Sequence, residues 1–436
     1  MDINNFKING LGCDNLYHIG LKDSLITIHS QQMRSKILAD FLSGSISEDN
    51  RSNICIIGAG IAGLTFIYQL VEKGWRDIVL LEKLPDLLAI QNGCDTRWVH
   101  PNIIDWPDDG STNPKSSIGI LDWEASTASN VAYGIEKQWL DFIQRKTSDT
   151  KKYGRPATLI SVHLGVTYIH VQTGAISSSV EWIRDSRVHR IPVKGSKTSS
   201  SGVKKFKYVV FATGYGIESQ SKFSYWRNED YGQLHVDGLQ RNYVVAGLGD
   251  GAISDLLRLT TKNFRTDRAI KEISQLIELE ECLKKIKSDA SDPSFDLMDA
   301  FSVESVKRDT KKRWDGFFNY FVDNRRDDTR VFLFYRKNTK FSRALNSSRA
   351  SFLNKLFLFS LFKSGAFQYV DNDIDSVSKA YIDNDNYKIV RHGADRVEMI
   401  KKLINDGTVE IKLMEQPISD CKALLASNSP VPGESN

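Results

Sequence analysis

The segment ICIIGAGIAGLTFIYQLVEKG (54–74) restricts this chain more than any other. A continuous apolar run suits a strand buried on both faces of a parallel sheet. The residues after it place Leu64, Ile67, Leu70 and Val71 on one helical face, and Gly74 is a C-terminal stop. Between strand and helix lie Gly58, Gly60 and Gly63. Gly58 permits a tight turn, Gly60 lets a phosphate approach bare backbone, and Gly63 lets helix and strand pack closely. Ala59, Ile61 and Ala62 fill the spaces between them and bring backbone N–H groups to the helix start, where an anion is favoured. The next strand, DIVLLE, closes on Glu82, 19 residues after Gly63, with Lys83 beside it. A carboxylate there accepts hydrogen bonds from ribose hydroxyls, so residues 54–83 are expected to hold a dinucleotide.

A second set of motifs follows. YVVF leads into Ala212, Thr213 and Gly214. Further on, YVVAGLGDGAISDLLRL sets Gly247, Gly249, Gly251 and Ala252 between a strand and a helix, small residues that suit a second phosphate approach. Later still, the strand RVFLFYRKN ends in Arg336 and Lys337. Basic groups at that end of a Rossmann unit suit a 2′-phosphate, so NADPH is expected rather than NADH.

At 436 residues the chain has room for two domains and an insertion, at about 150 residues each. Lys and Arg number 58 against 54 Asp and Glu, so the net charge of +4 gives no argument for nucleic acid or an anionic membrane as partner. The five cysteines form no CxxC pair, which argues against a disulfide framework, a zinc site or any other metal site. A reducing cytoplasmic setting is expected. The start MDINNFKINGLG lacks the marks of a signal peptide. GxSxG and HExxH are absent, so hydrolase and metalloprotease readings have no support.

Residues 1–50 are expected to form an N-terminal arm, with LITIHS a strand and SQQMRSKILADFL a helix. A dinucleotide-binding domain would occupy 51–240 and a second Rossmann-like domain 241–375, with a helical insertion over about 265–325. Residues 376–436 would form a C-terminal segment and tail. Within these, 83–132 is expected as an ordered loop, RVHRIPV as a strand, and 194–207 as a solvated hairpin loop. LNKLFLFSLF is equally a helix or a strand. His163, His170 and His235 are expected as half-exposed strand residues.

The order GxGxxG, acid, ATG, GxGDxA, strand with basic end resembles the two-dinucleotide-domain flavoproteins, among them thioredoxin reductases and flavin-dependent monooxygenases. The resemblance implies an α/β fold with a Rossmann-type FAD domain and a second, inserted or remodelled dinucleotide domain. It implies FAD at Gly58, Gly60, Gly63, Glu82, Thr213 and Gly214, and NADPH or NADH at the GLGDGA turn. Alternatively, GLGDGA is itself a flavin motif, with Asp250 on the ribityl chain and a single cofactor. The missing CxxC argues against thioredoxin reduction. The chain is expected to be an FAD-dependent oxidoreductase, reduced by NAD(P)H and acting as a monooxygenase on a small molecule. An oxidase or dehydrogenase, or a non-catalytic nucleotide-binding protein, are the alternatives.

The resemblance also draws attention to NGCDTRWVHPNIIDWPDDGS (92–111), since the corresponding segment of such flavoproteins passes the flavin. Arg97 would neutralise the pyrophosphate or the reduced ring. Trp98 or Trp106 would stack on it, and His100 would act as general acid or base. Cys94 is a candidate redox thiol, with a small packed residue as the alternative.

Overall fold

The computed structural model describes residues 6–8, 14–20, 26–153, 160–184, 201–214, 224–347, 349–372, 387–391 and 404, with 147–153, 184, 389 and 391 as backbone only. The expected strand RVHRIPV, residues 194–200 of the expected hairpin loop and the C-terminal tail lie outside the described residues. The chain forms two compact units. Residues 1–95, 116–217 and 394–436 make the first, and 96–115 with 218–393 the second.

In the first unit, β1 (Leu16–His18), β2 (Ser52–Ile57), β3 (Arg76–Leu81), β6 (Ile160–His163) and β10 (Tyr208–Phe211) form one parallel sheet in the order β1-β10-β2-β3-β6. Numbered from β2, the four strands β6-β3-β2-β10 have the Rossmann order 3-2-1-4. Side chains alternate between the faces. Cys55, Ile57, Val79, Leu81, Val209 and Phe211 pack with Val171, Val180, Trp182 and Phe206. These last four belong to the antiparallel sheet of β7 (Val166–Gln172), β8 (Ser178–Arg184) and β9 (Ser201–Phe206). On the other face lie α1 (Ile28–Ser45), α2 (Ile61–Glu72) and α3 (Ala128–Tyr153). Ile56 faces α2, and Tyr68 of α2 stacks on Phe142 of α3 with ring centroids 3.7 Å apart.

Two local expectations change. Ile28–Ser30 begin α1 rather than end a strand, because Thr27 and Ser30 form a capping box, each hydroxyl accepting from the other's backbone N–H. Residues 1–50 are no separate arm, since β1 pairs with β10 and α1 packs along α2. Residues 201–206 of the expected hairpin loop are strand β9, its Gly202 lying under the Trp182 ring. The lysines of that strand stay at the surface while Phe206 enters the core, so charge did not prevent pairing.

The second unit repeats the Rossmann order. β11 (Arg241–Ala246), β12 (Thr329–Phe334), β13 (Gln368–Val370) and β14 (Tyr387–Arg391) form a parallel sheet ordered β13-β12-β11-β14, again 3-2-1-4. The short strand β4 (Trp98–Val99) also falls in this unit, and β5 (Ser126–Thr127) in the first. Helix α4 (Asp250–Thr260) follows β11 directly. The helices α5 (Thr266–Glu272), α6 (Ser274–Asp289), α7 (Leu297–Val306) and α8 (Lys311–Asp323) stand between it and β12. The short α9 (Phe341–Leu345) precedes α10 (Phe352–Lys363), which resolves the ambiguous apolar run as a helix. Phe301, Trp314, Phe317, Phe357 and Phe359 from α7, α8 and α10 form its aromatic interior.

Arg326 ties the entry to β12 to the rest of this unit. It is 2% exposed. Its Nε and Nη2 donate to both carboxylate oxygens of Asp328 at 2.9 and 2.6 Å. Nη2 also donates to the Gln233 carbonyl at 2.6 Å, and Nη1 to the carbonyls of Arg258 and Tyr231. Burial pushes the Asp328 carboxyl up, but the Arg326 bonds and the His235 N–H outweigh it and hold the pKa at about 2. A carboxyl depressed in the folded state stabilises above its ordinary pKa, and that contribution is lost as pH falls toward 2. Replacing Arg326 with Met is expected to cost about 3–5 kcal/mol in urea unfolding, since it strands a carboxylate and several carbonyls. It should also remove about 2 kcal/mol of the wild-type stability loss between about pH 4 and pH 2.

Candidate dinucleotide sites

The first cradle sits where the strand order reverses, at the carboxyl ends of β2 and β10, the position at which open α/β sheets bind ligands. Gly58 has φ +113°, and a Cβ there would lie 2.5 Å from the Ala212 carbonyl oxygen. The ATG segment therefore abuts the glycine turn. A Cβ on Gly63 would lie 2.0 Å from the Gly58 carbonyl oxygen, so helix and turn touch backbone to backbone. Gly60 is different. A Cβ there would meet nothing within 4 Å, and no side chain caps α2. Open space in front of an uncapped helix N-terminus is what a pyrophosphate requires. Ile61 and Ala62 open the first turn of α2.

Glu82 closes β3. Its Oε2 accepts from the Ala59 N–H at 2.6 Å and its Oε1 from the Leu84 N–H at 2.8 Å. Burial raises the Glu82 pKa above the usual glutamate value, against those bonds and the charge of Lys83, which is itself exposed. The Thr213 hydroxyl is buried with no hydrogen-bond partner, and Gly214 next to it has φ +58°. An open glycine, an uncapped helix, a carboxylate and an unpaired hydroxyl on neighbouring strand ends fit a dinucleotide such as FAD.

The second cradle is built alike but filled differently. Gly247, at φ +103°, has open space around its Cα, and Gly249 caps α4 without a side-chain bond. However, the Arg349 carbonyl oxygen lies 3.8 Å from where a Gly249 Cβ would be. Ala252 is buried. Gly251 is small for another reason than the one expected: a Cβ there would fall 2.9 Å from the Tyr225 ring, so the residue serves packing. Asp250, the candidate ribityl contact, is tied into the fold of this unit. Its Oδ1 accepts from the N–H and hydroxyl of Ser351 and from Asn354 Nδ2, at 2.8, 2.9 and 2.6 Å, which ties α4 to the start of α10. Arg336 and Lys337 are exposed just beyond β12.

The expected flavin-facing segment divides between the units. Arg97 is 3% exposed. Both Nη atoms donate to Asp255, which is fully buried, and Nε donates to the Tyr225 carbonyl at 3.2 Å. Glu229 and Arg258 complete the charge cluster. The guanidinium expected on the cofactor is thus engaged inside the second unit. Trp106 belongs to the hydrophobic core of that unit, and Trp98 carries the Arg265 guanidinium 3.9 Å above its ring. His100 Nδ1 accepts from the N–H groups of Asn102 and Ile103 at 3.2 and 3.1 Å, fixing the turn that follows, and burial lowers its pKa. Cys94 is 1% exposed, a packed residue and no accessible thiolate. His163 is buried and His235 is half-buried outside any strand, with Nε2 2.9 Å from the Tyr243 hydroxyl, while His170 is half-buried on β7. Among the described residues no His, Cys, Asp or Glu cluster would hold a metal ion. None of their helices is long and apolar enough to cross a membrane. The sequence reading missed Asp255, Glu229 and Tyr225, whose contacts with Arg97 span more than a hundred residues and leave no local pattern.

Residues 53–152 match the family described as FAD dependent oxidoreductase. The chain carries an FAD-dependent oxidoreductase domain. The match begins on β2, covers the glycine turn and Glu82, and ends in α3, so the first cradle lies within the matched residues. A search of curated proteins returned no match. Among solved structures, the chain is similar to a bacillithiol disulfide reductase from Bacillus cereus, with 16% identity over 73% of this chain and 67% of that one, and a TM-score of 0.35. A thioredoxin reductase from Gloeobacter violaceus gives 10% identity over 84% and 79%, with a TM-score of 0.25. Scores this low carry no inference about activity.

Two variants separate fold from cofactor. Gly63→Ala must push α2 off β2 and is expected to lose FAD together with several kcal/mol of stability, read by thermal melting. At Gly60 an added Cβ meets nothing within 4 Å, so Gly60→Val is expected to melt close to wild type, yet bind FAD at least tenfold more weakly in a flavin-fluorescence titration. Because only an ionised Glu82 accepts from both ribose hydroxyls, FAD affinity should weaken as pH falls through its raised pKa, at higher pH than an ordinary glutamate would show. Glu82→Gln should bind weakly and without that pH dependence.

Proposed function

We propose that this FAD-dependent oxidoreductase domain works with NADPH held by the second unit, and that the protein is a monooxygenase of a small organic substrate. The observation that carries this is the repeated topology. Each unit has its own parallel sheet in the order 3-2-1-4, and in each a glycine turn follows the first strand. Two such sheets suit two dinucleotides. On this reading the first unit (1–95, 116–217 and 394–436) supplies the FAD domain and the second (96–115 and 218–393) the NADPH domain. FAD, when bound, supplies the two-electron redox chemistry. The chain's own residues bind and orient it: the N–H groups of Ile61, Ala62 and Gly63 take the pyrophosphate, and Glu82 takes the adenosine ribose. Arg336 and Lys337 would receive the 2′-phosphate of NADPH. Electrons passing to O2 rather than to a disulfide accord with the absence of CxxC from the sequence. A reducing cytoplasmic setting accords with the same cysteine pattern.

One observation favours a second reading. The Arg349 carbonyl oxygen lies 3.8 Å from the Cβ position of Gly249, where Gly60 has no such neighbour, and an oxygen beside a phosphate is unfavourable. A single-cofactor oxidase or dehydrogenase would then take electrons directly from its substrate. Anaerobic addition of NADPH to the FAD-loaded protein decides between them. Rapid bleaching of the flavin absorbance supports the two-cofactor reading, and unchanged absorbance rejects it. In the former case Arg336→Ala is expected to raise the KM for NADPH about tenfold and leave that for NADH unaltered.

A further inference from the structure

Strand β1 and helix α1 precede the glycine turn and add to the Rossmann unit at the side of β10. The two helices α1 and α2 run parallel. Ser35 Oγ donates to the Ala62 carbonyl, Gln69 of α2 donates to Asp40, and Trp75 Nε1 donates to Ser43. With Ser35 level with the first turn of α2, the residues before it project beyond that helix. Gln31 lies one turn ahead of Ser35 on the same helical face, about 5.4 Å further along. It is therefore at the height of the phosphate position in front of α2, displaced toward β10 and β1.

Gln31 is 3% exposed, and neither atom of its amide has a hydrogen-bond partner. The amide rests against Gly20: a Cβ there would lie 2.1 Å from Gln31 Nε2, and φ at Gly20 is +73°. Gly20 follows Ile19, whose N–H donates to the Phe211 carbonyl, so the amide stands beside the strand end that carries Thr213. Thr213 Oγ1 is likewise unpaired. Buried polar groups are nearly always bonded, and each one left bare is destabilising. Here one follows β10, and the other, on α1, rests against Gly20 just after the neighbouring β1.

The direction of the cofactor follows from Glu82. Glu82 ends β3, on one side of β2, and marks the adenosine half. The other half of a dinucleotide then crosses toward β10 and β1. We propose that Gln31 belongs to the FAD site and binds the flavin half, its amide engaging a group that both donates and accepts hydrogen bonds. The pyrimidine edge of the isoalloxazine and the ribityl hydroxyls both have that chemistry. The proposal rests on FAD occupying the first cradle.

The test compares FAD and ADP binding to wild type and Gln31→Met, which keeps the length of the side chain and removes its amide. FAD binding weakened tenfold or more with ADP binding unchanged is the expected result, because ADP lacks the flavin half. A shifted spectrum of the remaining bound flavin assigns the contact to the ring edge, and an unshifted one to the ribityl chain. Equal FAD affinity in both proteins overturns the proposal while leaving the FAD site standing. Equal weakening of FAD and ADP also overturns it, because that is the signature of a structural residue. Failure of the wild type to take up FAD removes the FAD reading and this proposal with it.

Discussion

The Gly58 carbonyl and the Cα of Gly63 meet with no room for a side chain between them, and the first unit is arranged around that contact. It fixes how closely α2 approaches β2. The approach in turn sets the helix N-terminus over the carboxyl edge of the sheet, with its N–H groups uncapped. Gly58 can make the turn because it adopts a positive φ, and its other neighbour is the Ala212 carbonyl. Three segments distant in sequence thus converge on two glycines. Binding chemistry and packing are inseparable at Gly58 and Gly63, whereas Gly60 faces open space and is free to be small for a ligand alone.

The second unit keeps the topology and changes what holds it. Its helix start is tied down by Asp250 to α10, covered by Tyr225 at Gly251, and approached by the Arg349 carbonyl at Gly249. Behind these, the pair of Arg97 and Asp255 lies fully inside. Such a pair gives little net stability compared with an apolar replacement, but losing either member leaves an uncompensated charge. Its effect is to fix the register of the 96–100 segment on α4. The residues that looked most chemical in the sequence therefore serve the fold: Arg97 as an internal tie, Trp106 as core, His100 as a turn-setting acceptor.

What the sequence disclosed follows the range of the interactions. The β2 turn, the helix after it and Glu82 were legible because their constraints act within thirty residues and require particular side chains, or none. The apolar strands β10, β11 and β12 were legible because burial on both faces leaves a continuous run. Strand β9 was not, since its pairing with β8 comes from backbone bonds that lysine-rich residues also make. The start of α1 was missed because alternating apolar residues suggested a strand, while the deciding bonds were those of the Thr27 and Ser30 cap. Gly251 and Asp250 were legible as unusual residues but not in their roles, because Tyr225, Ser351 and Asn354 reach them from far along the chain.

The addition of β1 and α1 bears on how the first site works. A four-strand Rossmann unit ends at β10, leaving the side of the site beyond the switch point to be closed by something else. Here a fifth parallel strand continues the sheet, and its helix projects past α2. The buried face of that projection is polar: His29, Gln31 and Gln32 are each at most 5% exposed. Gln32 bonds the Leu121 carbonyl and Trp123 Nε1, and His29 Nε2 lies 3.2 Å from the Ser116 carbonyl, so residues 116–123 are fastened to it. A helix stabilised only by packing would bury apolar side chains in those turns. Here the groups buried are polar, and the Gln31 amide among them is unpaired. On the proposal for Gln31, the N-terminal extension is part of the cofactor site and no appendage to it.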